Sequence, residues 1–371
     1  MIKKIIPALL LLISLFSFAH PLHAQEQALA GTEETLRAKV ITVIIDETKI
    51  HPVSPDASAS ARVQTLEAEI LEGAHKDKKI IFENNNLPLA KGDHFLLYHL
   101  VDESGGDYYN VQDPERRGIL LVLILLFIAT VILFGRLQGV RSLLALAGSG
   151  FIIAFFLFPQ LLAGRPPLLI SAVVSIFILT LAILITHGWN RTSLVALAGT
   201  SITIAFTILF AQWAVGAAHL TGLIDDTSIY LNTETGGTLN FQGLLLSAII
   251  IGILGILDDV AITQTVAVQE IATAGPALSK KEVYRKAMRV GREHVGALVN
   301  TLALAYAGAS LPLLLLFSKS GTPPLAVNME IFAAEIVRTI VGSMAIILTV
   351  PITTALAVWF GKNPGKGYNT A

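Results

Sequence analysis

The chain has 371 residues, 53% of them hydrophobic and only 14% charged, with a formal net charge of −1 and no cysteine. Soluble domains carry charge on about a quarter of their residues, so this is the composition of an integral membrane protein. The missing cysteines exclude disulfides, thiolate metal sites and cysteine nucleophiles, and no nucleic-acid partner is expected.

In chain order, the first element is a leader. Lys3 and Lys4 precede a short apolar core over 5–18. Leu22-His23-Ala24 offers a cleavage point before Gln25, and Ser17-Phe18-Ala19 a competing one. The core is too short to span a bilayer comfortably, so residues 1–24 are expected to be a signal peptide, and residue 25 to lie outside the cytoplasm.

Residues 25–117 are polar by comparison. Short β-prone runs at 36–45, 62–72, 78–82, 93–101 and 107–111 are separated by turn-formers such as Pro52, Pro55, Asn84-Asn-Asn86, Gly92 and Gly105-Gly106. Five strands in so short a stretch predict a small extracytoplasmic β-barrel of the OB or SH3 kind. Its histidines show no metal-ligand spacing. His94 and His99 are five apart and so fall on opposite faces of a strand. They are expected to be surface residues, and no metal site or cofactor is expected.

From residue 118 to 362 the chain is expected to be membrane. Apolar runs at 119–134, 142–162, 168–185, 193–215, 241–257, 295–317 and 337–360 predict about seven transmembrane helices, each near the ~20 residues a bilayer needs. With the N-terminal domain outside, the inner connections hold eleven Lys and Arg and the outer ones two. That asymmetry fits the cytoplasmic (inner) membrane of a bacterial cell, with a cytoplasmic tail at 363–371. A parallel hairpin repeat is also expected: Ser142-Leu-Leu-Ala-Leu-Ala-Gly148 matches Ser193-Leu-Val-Ala-Leu-Ala-Gly199, and Leu168-Leu-Ile-Ser-Ala172 matches Leu244-Leu-Leu-Ser-Ala248. The second hairpin carries an insertion within 219–242.

The candidate chemistry sits on the fifth predicted helix. Its 17 residues from Phe241 to Leu257 would rise about 25 Å at ~1.5 Å each, which puts Asp258 and Asp259 at the inner boundary of a ~30 Å hydrocarbon layer. Asp258, Thr265 and Gln269 share one face of that helix; Asp259, Thr263 and Glu270 share a neighbouring one. Carboxylates at that depth need a proton, a cation or a basic partner. The candidate ion- or solute-binding residues are Asp258, Asp259, Thr263, Gln264 and Asn300, the last one turn into the sixth helix.

Other polar features have structural readings. Ser279 and Glu282 form a capping box that opens a basic amphipathic segment, read as a positive-inside signal on an interfacial helix. Gly296, Asn300, Ala303, Ala307 and Ser310 form a small-residue stripe that suits helix packing. Glu335 and Arg338 are expected to form a structural ion pair. Glu335, Thr339, Gly342, Thr349 and Thr353 line one stripe of the last helix, with Pro351 expected to kink it. An intramembrane aspartyl protease would need its two acids on facing helices, so no enzyme is expected.

Several of these stretches together resemble the YibE/F family of bacterial membrane proteins: Gly255-Ile-Leu-Asp-Asp-Val-Ala-Ile-Thr-Gln264, Gly291-Arg-Glu-His294 with Asn300-Thr301, Ala305-Tyr-Ala-Gly-Ala-Ser-Leu-Pro312, and Glu335-Ile-Val-Arg338 through Val350-Pro-Ile-Thr353. The resemblance covers about 115–360. It implies a multi-pass membrane protein with an extracytoplasmic N-terminal portion, and it supplies no substrate. The expected partners are the lipid bilayer, a cation or proton, and an envelope protein; an oligomer is compatible with the sequence. The expected function is a transporter with an inner-leaflet carboxylate site. The alternative is a non-transporting scaffold or sensor whose extracytoplasmic domain binds an envelope partner.

Overall fold

The structure is a computed structural model that describes residues 32–54, 57–85, 87–102, 106–319 and 327–360. The expected leader at 1–24 and tail at 363–371 lie outside the described residues. Two compact units are present, one up to Thr130 and one from Val131 onward.

The first unit is a half-barrel of five antiparallel strands, β1 (Thr32–Ser54), β2 (Ala57–Ile70), β3 (Lys79–Asn84), β4 (His94–Val101) and β5 (Asp107–Pro114), in the order β3-β2-β1-β4-β5. The five expected strands are all present, with shifted ends. β1 serves two neighbours: its first residues pair with β4 and the stretch from Ala38 onward pairs with β2. Register shifts at Val40/Thr42 and Val43/Ile45 add the twist that lets one strand curve between two partners. Alternation sets the inner face. Leu36, Ala38 and Val40 of β1 meet Leu66, Ala68 and Ile70 of β2, Ile80 and Phe82 of β3, and Phe95 and Leu97 of β4 in one core. Arg37, on the other face, ties the ends of the sheet by pairing with Glu72 at 2.8 Å and Glu115 at 3.5 Å.

The second unit is helical. Its elements are α1 (Arg117–Ile152, which starts in the first unit), a π-helical turn (Ile153–Leu157), α2 (Phe158–Leu162), α3 (Pro167–His187), α4 (Arg191–Ala217), α5 (Asp226–Glu234), α6 (Phe241–Ala274), α7 (Lys280–Ala309), α8 (Leu311–Lys319) and α9 (Glu330–Phe360). Among the described residues five helices are long and apolar enough to cross a membrane, or six when the bent pair α7 and α8 is counted as one. Helices suit that solvent because every backbone group is satisfied within the segment.

Two departures account for the difference from seven. The expected spans at 119–134 and 142–162 fall in one helical stretch, broken at Arg136 (φ 48, ψ −134). The connecting residues contain no proline, so helical bonding resumes at once and the expected loop shrinks to one residue. Gly139 lies against the backbone of Val131, an approach that a side chain would block. The expected span at 295–317 is bent by 65° between α7 and α8. Pro312 is the cause: it has no N–H to donate back along the helix and its ring crowds the preceding turn. The basic segment from Lys280 is continuous with this span rather than a separate interfacial helix, and the predicted capping box is present, with Glu282 accepting from Ser279 N at 2.8 Å and Oγ at 2.7 Å.

α6 and α9 are central. α9 packs on α4, α6 and α7, and α6 also packs on α3 and α4. In lipid the contacts between helices rest on close packing, which small residues permit. Gly199 of α4 lies against Thr353 of α9, and Gly342 of α9 against Leu302 and Ile253. The polar stripe of α9 is therefore largely packing surface: Thr349 and Thr353 are fully buried. The insertion between α4 and α6 is anchored by Glu330 in the first turn of α9. Its carboxylate accepts from Thr221 N at 2.6 Å, Gly222 N at 2.7 Å and the Thr221 hydroxyl at 2.9 Å. Gly222 is required there, with φ +86 and the backbone of Phe241 against it.

Candidate functional site

α6 carries the acidic pair past its midpoint. Asn240 caps the helix by accepting from Gly243 N at 2.8 Å. The helix runs 34 residues to Ala274, about 51 Å at ~1.5 Å per residue, so it extends well beyond the apolar span. Asp258 and Asp259 thus lie inside a continuous helix rather than at its end.

Neighbouring helices give the level of the pair. Asp259 is exposed and lies within electrostatic reach of His187, the last residue of α3. About three turns further along α6, Gln269 accepts from the hydroxyl of Thr192, at the start of α4, at 3.0 Å. The pair therefore stands level with the end of α3. Asp258 is partly buried, and its Oδ1 is fully enclosed without a hydrogen-bond partner among the described residues. Leu257 and Val260, on either side of the pair, are both buried.

The remaining candidates do not converge on this carboxylate. Thr263 is exposed. Gln264 is buried and structural: its Nε2 donates to Ala287 O of α7 at 3.0 Å and to Thr354 Oγ1 of α9 at 2.7 Å, so one side chain joins three helices. Gly291 of α7 makes room for it, since a Cβ there would come within 2.9 Å of Gln264 Oε1. Asn300 is exposed, and so are Gly296 and Ala307 of its stripe. The packing expected of that stripe is not made among the described residues, because α7 turns Val283, Ala287, Gly291 and Leu302 inward instead. Glu335 and Arg338 form the expected ion pair at 2.6 Å. His187 was not among the candidates read from the sequence. His294, named there only within a stretch that carries the family resemblance, has its Nε2 enclosed without a partner among the described residues. His187 ends an apolar run, a signal that could have flagged it.

In the β unit the two strand histidines do face opposite ways. His94 is exposed at 47%, but His99 is buried at 2%, which corrects its reading as a surface residue. It sits inside because its position shares the inward register of Phe95 and Leu97. Its Nε2 lies 2.8 Å from Asp107 Oδ1, and this contact is the main reason the Asp107 carboxyl titrates below its ordinary range.

Apolar membrane-length helices, packed through glycines and joined by buried polar side chains, define a polytopic helical membrane protein with a small β half-barrel before it. Residues 123–363 match the family described as YibE/F-like protein, and the chain belongs to that family. No curated protein and no solved structure matches it.

Proposed function

We propose that this chain is a transport protein of the cytoplasmic membrane, with Asp258 binding the proton or cation that it moves. The carrying observation is the enclosed, unpartnered Oδ1 of Asp258 beside a second, exposed carboxylate. A carboxylate oxygen shut away from water without a donor is costly. A proton or a bound cation removes that cost, and Asp259 supplies an accessible acid next to it. The finer topology of this reading has seven crossings, counting the halves of α1 on either side of Arg136 separately and the α7–α8 pair as one. The β unit then lies outside and the C-terminus in the cytoplasm.

A hairpin repeat fits the same reading. Gly148 and Gly199, which correspond in it, are both close-contact positions, the first against Leu181 and the second against Thr353. The test is flux of protons or monovalent cations into proteoliposomes, together with rescue of a deletion strain. Asp258→Asn and Asp259→Asn are expected to insert normally and lose both activities. Full activity in both variants sinks the reading.

A second reading, a scaffold or sensor that holds an envelope protein on its β unit, is favoured by one observation. The half-barrel carries an open groove of about 530 Å³ lined by Tyr98, Leu100, Tyr108 and Asn110, among others. Removal of residues 26–112 separates the readings, since a transporter core keeps flux and a sensor loses its signal.

A further inference from the structure

We propose that Glu34, His75 and His99 form a divalent-metal site of the zinc type in the β unit, with Asp107 orienting His99. The three side chains each offer one ligand atom, and these atoms all lie within 4.8 Å of one another. They come from three separate stretches of chain. Glu34 of β1 and His99 of β4 are direct cross-strand partners, and both occupy the inward register of their strands, at the end of the core that holds Leu36 and Leu97. His75 comes from the turn between β2 and β3 and meets the His99 ring edge-on at 5.2 Å.

The turn is built to hold that histidine in place. Lys76 N donates to Gly73 O at 3.3 Å, Lys78 N to His75 O at 3.1 Å and Asp77 N to Ile70 O at 2.8 Å. Gly73 has φ +82, and any side chain there would strike Leu36 and crowd Glu34 Oε1 at 3.1 Å. The glycine thus serves both the turn and the seat of the carboxylate.

The surroundings of His99 are those of a metal-binding imidazole. Asp107 Oδ1 lies 2.8 Å from Nε2; with the ring proton on Nε2, Nδ1 offers its lone pair to a metal. A carboxylate behind the imidazole fixes its tautomer, fixes its orientation and raises its basicity as a ligand. Asp107 is itself held, since Lys78 Nζ reaches its Oδ2 at 3.5 Å and Tyr109 OH at 3.2 Å. Tyr109 stacks on the His99 ring at 4.7 Å and keeps it from rotating.

Two imidazoles and one carboxylate suit zinc and related first-row divalent ions, not magnesium or calcium, which take oxygen ligands. Bonds of ~2.0–2.1 Å at tetrahedral angles put ligand atoms about 3.4 Å apart, so from separations of at most 4.8 Å each pair closes by no more than about 1.4 Å on binding. Glu34 and His75 are half-buried and able to make that movement, while His99 stays fixed. Three protein ligands leave a fourth position for water or an exogenous group.

This site is independent of the reading of Asp258, and the test keeps the two apart. Tag-free full-length protein in detergent, stripped with a chelator, is titrated with Zn²⁺ by calorimetry and with Co²⁺ by visible absorption. Wild type is expected to bind one Zn²⁺ per chain and to give the intense band of tetrahedral Co²⁺. Glu34→Gln and His75→Ala should each weaken binding at least tenfold, and Asp107→Asn by about 10–100-fold, while Asp258→Asn binds as wild type. The proposal is overturned if wild type takes up no Zn²⁺, if Glu34→Gln and His75→Ala bind as tightly as wild type, or if binding disappears in Asp258→Asn instead.

Discussion

The two units differ in how completely they pair their buried polar groups. In the β unit the buried Gln64, Asn84 and His99 all have partners. Gln64 alone bonds Asp46, Asn84 and both backbone groups of Leu89. In the helical unit seven enclosed polar atoms have none among the described residues: Ser171, Ser175 and Ser193 Oγ, Asp258 Oδ1, His294 Nε2, Arg338 Nε and Thr353 Oγ1. The difference follows from architecture. A strand edge leaves loop backbone groups that a side chain must satisfy, and Gln64 does this for Leu89. A helix satisfies its own backbone, so a polar side chain between helices finds a partner only where another happens to face it, or the carbonyl one turn back, as Thr349 and Thr354 do. Where neither is available the group is a cost, and in a carboxylate that cost is the feature a proton or cation can use.

Three substitutions can break this comparison, and the largest effect is expected in the β unit. Gln64→Leu keeps the volume but leaves both Leu89 backbone groups and the Asn84 amide short of a partner, which should lower stability by about 3 kcal/mol. Denaturant titration read by proteolysis within the β unit measures it; an unchanged midpoint would show that the network is not stabilising. Gln264→Leu is next. It removes the link between α6, α7 and α9 and should cost about 1–2 kcal/mol, read as a lower unfolding temperature in detergent. A loss as large as that of Gln64→Leu would erase the contrast between the units. Thr353→Val should have the smallest effect, neutral or slightly stabilising, since it removes a hydroxyl without a partner among the described residues. A clear drop in unfolding temperature would reveal a partner for that hydroxyl and move Thr353 out of the unsatisfied group.

How much was legible varied with the range of the interaction. The five strands and the apolar helices were readable because alternation and hydropathy are local. The Glu335–Arg338 pair and the Ser279 cap were readable because both close within one helical turn. Misreadings began one level up. Asn300 and its stripe form a plausible packing face by spacing alone, yet α7 is rotated so that Gly291 and Leu302 face inward. Gln264 looked like a neighbour of the acidic pair, and it is a bolt between three helices.

By itself, then, the sequence determined the membrane class, the β unit, the family and the acidic pair, since each follows from periodicity, composition or a contiguous motif. Only the tertiary structure decided that Asp258 has an enclosed oxygen without a partner among the described residues, that α1 breaks at Arg136, and that Glu34, His75 and His99 meet. Those facts depend on helix rotation and strand register between distant segments. Such relations are fixed by packing over the whole molecule, and no local spacing encodes them.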